Sequence, residues 1–146
     1  TGAGTYSLDV STADPVDPCV GLAVIDAGGA YAGTTVGMFD DSQATGPGCG
    51  SSGGQDVTYE LQVAAPSSLV AEIGPSAAGD WDSILHLRLV CDDPATQIVC
   101  NDDYEGTVRA HIEAPSLDPG TYYLTVDGYS GSSSGAYTLN VTLTPL

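Results

Sequence analysis

The chain has 146 residues, enough for one compact domain with a modest core but not for two full ones. Two arginines and no lysine stand against 19 acidic residues, a formal net charge of −17. That balance excludes nucleic acid and anionic lipid as electrostatic partners, and the lack of lysine excludes Schiff-base chemistry, a P-loop lysine and lysine isopeptide crosslinks.

The start, Thr1-Gly2-Ala3-Gly4, has neither an initiator methionine nor a basic leader, and reads as an exported mature chain or a piece of a longer one. No apolar run is long enough to cross a bilayer as a helix. At Gly4 begins the pattern G-x-Y-x-L-x-V, which places Tyr6, Leu8 and Val10 on one face of a strand and Ser7 and Asp9 on the other. Asp14-Pro15-Val16-Asp17-Pro18 follows, a stiff extended linker. The expected division is an N-terminal extension over 1–13, a linker over 14–18 and a β domain over 19–146. The detached strand has three readings: the tail of a preceding domain, a donor strand that docks on a neighbouring subunit, or an extra edge strand on its own sheet.

From there on, apolar residues alternate at period two while Gly and Pro interrupt every few residues, so strands are expected and helices are not. A strand is expected over 31–38. Val57, Tyr59, Leu61 and Val63 share one face of the next; Leu69, Ala71 and Ile73, then Leu85, Leu87 and Leu89, continue the series. A strand over 96–100 and another carrying Val108, Ala110 and Ile112 come next. The G-x-Y-x-L-x-V pattern then returns at Gly120 and Gly135, and these two copies are expected to form the closing hairpin. Eight or nine strands at this spacing predict an all-β, jelly-roll-like antiparallel sandwich with an extra N-terminal strand.

Four cysteines in an acidic chain rich in Gly, Ser and Thr fit an oxidising compartment. Cys91 and Cys100 flank the turn Asp92-Asp93-Pro94-Ala95, so a disulfide across that hairpin is expected, which leaves Cys19 for Cys49. No C-x2-C spacing supports zinc. Asn101-Asp102-Asp103-Tyr104-Glu105-Gly106 has oxygen side chains ahead of a glycine, like the first half of an EF-hand loop, but Ile112 stands where the bidentate glutamate belongs. What remains is a hard-oxygen turn for calcium, with Asn101, Asp102, Asp103 and Glu105 as candidate ligands and Asp80 and Asp82 as completing carboxylates. A plain solvated acidic turn is the competing reading. Asp40-Asp41-Ser42 is a second, weaker acidic turn.

The ordered set Gly54-Gln55-Asp56-Val57-Thr58-Tyr59, Asp82-Ser83-Ile84-Leu85-His86-Leu87-Arg88, Cys91 to Cys100, Asn101-Asp102-Asp103 and Gly120-Thr121-Tyr122-Tyr123-Leu124-Thr125-Val126-Asp127-Gly128 resembles the bacterial pre-peptidase C-terminal domain. The resemblance runs from about Cys19 to Leu143. It implies a calcium-stabilised jelly roll akin to collagen-binding domains, non-catalytic, with acidic positions at Asp82, Asn101, Asp102 and Asp103, and further ones at Asp80 and Asp127.

Catalytic signatures are missing: no serine sits in a strand-to-helix G-x-S-x-G elbow, there is no H-E-x-x-H, and alternation points both histidines, His86 and His111, away from the core. The expected role is a secreted or cell-surface structural module that joins copies of itself head to tail through its N-terminal strand. The alternative is an accessory module that binds glycan or protein through tyrosines such as Tyr104, Tyr123 and Tyr129.

Overall fold

The computed structural model describes residues 17–46, 49 and 53–146. The N-terminal extension with Tyr6, Leu8 and Val10 lies outside them. Nine strands are described: β1 (Ala23–Ile25), β2 (Gly29–Thr34), β3 (Val57–Val63), β4 (Ser67–Ile73), β5 (Ser83–Arg88), β6 (Gln97–Asn101), β7 (His111–Leu117), β8 (Gly120–Gly128) and β9 (Ala136–Pro145). They form a sandwich of a five-stranded sheet, ordered β1-β3-β8-β5-β6, and a four-stranded sheet, ordered β2-β9-β4-β7. The only helical element among the described residues is a 3-10 turn at Pro94–Thr96.

The period-two pattern builds the core directly. Tyr59, Leu61 and Val63 of β3, Tyr122, Leu124 and Val126 of β8, and Leu85 and Leu87 of β5 face Leu69, Ala71 and Ile73 of β4 and Tyr137, Leu139 and Val141 of β9. Across the sandwich the hydroxyls of Tyr59 and Tyr137 meet at 2.7 Å, so each tyrosine buries its ring and satisfies its polar end.

Four expectations give way. The copies at Gly120 and Gly135 do not pair with each other: β8 lies between β3 and β5, whereas β9 lies between β2 and β4 in the other sheet. Two strands with the same inward pattern fit equally well on facing sheets, and the chain between them crosses from one layer to the other. The sandwich is not wholly antiparallel either, because β1 pairs in parallel with β3. Leu89 is exposed, since β5 ends at Arg88 after a register shift between Leu87 and Arg88. Val108 is exposed as well, and β7 begins only after the turn in which Tyr104 and Thr107 bridge.

The disulfides also differ from expectation: Cys19 bonds Cys91, and Cys49 bonds Cys100. The register explains the correction. Cys100 stands opposite His86, whereas Cys91 lies beyond the end of β5, so the hairpin never sets the two side by side. The bridges instead tie the segments before β1 and before β3 to the β5–β6 end of the five-stranded sheet.

Candidate metal centre

His86 and Arg88 face away from the sandwich core, as alternation requires, yet they are 0% and 3% exposed. The segment after β2 covers them, and Cys49–Cys100 fastens that cover to β6. Arg88 donates from Nη1 to the Cys91 carbonyl at 2.9 Å and from Nη2 to the Gln43 carbonyl. Ser42 Oγ lies 3.5 Å from His86 Nε2. Burial, followed by the Arg88 charge, pushes His86 down to about 3, so the imidazole is neutral at ordinary pH. His86 and His111 lie apart, because β5 and β7 belong to different sheets.

Under the same cover lie three carboxylates. Asp40 comes from the covering segment, Asp56 from the approach to β3 and Asp127 from the outward side of β8. One oxygen from each lies within 4.8 Å of the others. Among the described His, Cys, Asp and Glu side chains no other three gather so closely. Asp56 Oδ2 accepts from the Asp41 and Ser42 amides at 2.8 and 2.9 Å, and the Asp56 amide donates to the Phe39 carbonyl at 2.9 Å. The acidic turn 40–42 is thereby folded over Asp56. Asp127 Oδ1 accepts from the Gly128 amide at 2.7 Å, whereas Oδ2 is buried without a hydrogen-bond partner. Gly128 lets the backbone at Ser133 and Gly54 pack closely here: a β-carbon would lie 2.0 Å from the Ser133 carbonyl oxygen.

The electrostatics follow from geometry. Burial raises Asp56 to about 7 against the pull of its two backbone donors, with the charges of Asp41 and Asp40 adding to the rise. Burial and the Asp56 charge raise Asp127 to about 9. Arg88 is close enough to oppose both, but Nη1 and Nη2 are each committed to a carbonyl and its buried Nε has no hydrogen-bond partner. Carboxylates held this way keep their protons or take up a cation. The orphaned Oδ2 of Asp127 and an all-oxygen donor set suit a hard divalent ion, and exposed Asp40 leaves the site open on one side.

The ligands expected from sequence lie elsewhere. Asp80 accepts from the Ser76 amide at 3.0 Å and approaches Arg109 at 3.6 Å. Asn101 spends its amide on the His111 carbonyl at 3.0 Å. Asp102 accepts from the Asp103 amide at 2.7 Å, and Glu105 sits in the turn with φ of 52°. Asp82, with one buried oxygen lacking a partner, is raised by burial and then by the nearby charges of Asp103 and Asp102. Asp102 and Asp103 thus lie near enough to Asp82 for their charges to act on it, while Asp80 approaches Arg109 and Asn101 keeps its side-chain oxygen. In the sequence Asp127, the 40–42 turn and the motif holding Asp56 stand far apart. Nothing in their spacing announces that they meet.

No protein-family model matches this chain, and no curated protein does. Solved structures share its fold, two of them as follows. The pre-peptidase C-terminal domain of a collagenase from Bacillus anthracis aligns over 83% of this chain and 94% of its own, with TM-score 0.55 and 17% identity. The Aeromonas hydrophila protein PliG, a periplasmic inhibitor of g-type lysozyme, aligns over 84% and 97%, with TM-score 0.51 and 14% identity. By architecture, then, this chain is a two-sheet β-sandwich with a fold similar to that of the pre-peptidase C-terminal domain.

Proposed function

We propose that this chain is a non-catalytic, extracytoplasmic structural module that calcium stabilises at Asp40, Asp56 and Asp127. The observation that carries the reading is the buried, unpartnered Oδ2 of Asp127 beside two further carboxylates. Calcium takes about 6–8 oxygens, of which these side chains supply a share. The ion would take the place of the protons these buried carboxyls otherwise keep, and would join β3, β8 and the covering segment. Asp82, Asp102 and Asp103 offer a second, shallower position. The two disulfides support an oxidising location outside the cytoplasm. In the same reading, copies join head to tail through the strand at 4–10.

Thermal melts in calcium and in chelator test the cation. At an ion concentration 100 times Kd the folded state gains about 2.7 kcal/mol, which raises the midpoint by several degrees. Coincident melts in the two buffers would remove calcium from the account.

One observation favours a second reading as a binding module. Tyr104 stacks on His111 at 3.9 Å, in a cleft of about 230 Å³ that Glu72, Glu105 and Arg109 also line. Carboxylates, a guanidinium and an aromatic ring suit a glycan or a basic peptide. Titration with soluble oligosaccharides and with an oligoarginine peptide tests this, and no heat or shift from either would dismiss it.

A further inference from the structure

Resting on the assembly reading above, we infer that the acceptor for the 4–10 strand is the free edge of β2 on a second copy of this chain. The donor's sequence fits a sheet of this sandwich. Gly4-Thr5-Tyr6-Ser7-Leu8-Asp9-Val10 matches Gly135-Ala136-Tyr137-Thr138-Leu139-Asn140-Val141 at every fixed position of the pattern, and in β9 those Tyr, Leu and Val side chains are buried. The donor thus has an apolar face to bury and a polar face for solvent.

The acceptor is argued from what each edge presents. β1 is three residues long, β6 is bound to the covering segment through Cys100, and β7 carries Pro115 with His111 and Glu113. Proline, charge, shortness and a covering loop are the usual guards of a sheet edge. β2 has none of them: Gly-Ala-Tyr-Ala-Gly-Thr holds no charge and no proline, and its described ladder is with β9 alone. Its six residues run almost the length of the seven-residue donor.

The ladder also shows which backbone groups are free. The Thr35 amide donates to the Gly135 carbonyl at 3.0 Å, which makes that pair hydrogen-bonded in the antiparallel register. Hydrogen-bonded and open pairs alternate, so Gly33, Tyr31 and Gly29 bond β9, while Thr34, Ala32 and Ala30 direct their N–H and C=O outward. Tyr31 is the one side chain that β2 turns inward, since Gly29 and Gly33 have none and the Tyr59 and Tyr137 hydroxyls fill the space beneath Gly33, so Tyr6, Leu8 and Val10 would pack beside these tyrosines. β1 and β2 flank the same side of the sandwich, since their neighbours β3 and β9 meet through Tyr59 and Tyr137.

The partner is another copy because of where the linker departs. Pro18 lines a cavity with Thr58 and Arg88 on the outer face of the five-stranded sheet, and Cys19 is bonded to Cys91 there, whereas β2 belongs to the opposite sheet. Donor and acceptor on different surfaces give a heterologous contact that propagates.

The test uses the full chain with and without Leu8→Asp or Ala32→Pro, followed by light scattering, electron microscopy and residue-resolved hydrogen exchange. Ala32→Pro removes an outward donor and leaves the β9 ladder intact. The expected result is polymers from the unaltered chain, folded monomers from both variants, and roughly 100-fold slower exchange at Ala30, Ala32 and Thr34 on polymerisation. Polymers in which those amides exchange at the dilute-monomer rate would overturn β2 as acceptor and leave the assembly reading intact. Protection already present in the dilute monomer would mean that the strand adds in cis, which also overturns the inference. No polymer from the intact chain rejects both. The exchange measurement needs no substitution, so it decides even if Ala32→Pro fails to fold.

Discussion

Asp127 lies on the outward side of β8, where a strand residue normally meets water, and is 0% exposed because the segment after β2 covers it. Its carboxyl, raised to about 9, is mostly protonated at neutral pH when no cation is bound. Asp127→Asn is therefore close to isosteric with the metal-free state. We expect it to change the midpoint in chelator by no more than about 1 kcal/mol while losing the roughly 2.7 kcal/mol calcium response, as read by paired melts. His86 acts in the opposite sense on the pH axis. Its folded-state value, about 3, is depressed below the ordinary 6.5, so the unfolded chain binds a proton in that interval that the folded one does not. Stability from this group is complete above the upper value and is lost as pH falls through the interval, at up to about 1.4 kcal/mol per pH unit. His86→Gln should flatten the acid limb of the stability profile by that slope in chelator, and an unchanged limb would mean His86 is not the group being protonated. Alternation made both side chains legible as outward. It could not show a loop lying over them, because face and burial are separate facts.

At the scale of elements, the covering segment depends on its staple. Cys49–Cys100 closes 51 residues and Cys19–Cys91 closes 72, each stabilising the fold by about 4 kcal/mol in the chain-entropy model. Replacing Cys49 and Cys100 by alanine should cost up to that amount. It should also weaken calcium binding, since the segment delivers Asp40 and the Asp41 and Ser42 amides that grip Asp56. Calcium titrations of the variant check this; an unaltered affinity would show that the segment stays in place without its bond. The strands themselves were readable from period two, down to Leu61, Leu87 and Leu139 in the core. Pairing was not, for strands or for cysteines. Gly120 and Gly135 open the same motif, but a motif states which way its side chains point and not which sheet receives it. Cys91 and Cys100 are close in sequence, but the hairpin register decides what faces Cys100.

For the whole molecule, a net charge of −17 means that compaction works against self-repulsion. Sodium chloride should raise the chelated protein's melting midpoint gradually over hundreds of millimolar by screening, whereas calcium should raise it saturably at far lower concentration. If the two salts act alike at equal ionic strength, the effect is screening and the carboxylate cluster holds no particular ion. The fold class, the oxidised sulfurs and the acidic surface were all legible from composition and pattern. The cation site was not, because its three members come from segments that only the closed sandwich brings together.

The placement of Arg88 has a consequence for digestion. With no lysine, trypsin can cut this chain only after Arg88 and Arg109. One of these is sealed beneath the covering segment, and the other leans on Asp80 with its side chain 24% exposed. Native protein should therefore survive trypsin with at most a single clip, after Arg109. A fragment ending at residue 88 should accumulate only when the segment lifts, so its rate of appearance, compared with and without calcium or a thiol reductant, clocks that opening; equal rates under all conditions would show that neither the ion nor the sulfur bridge keeps it shut.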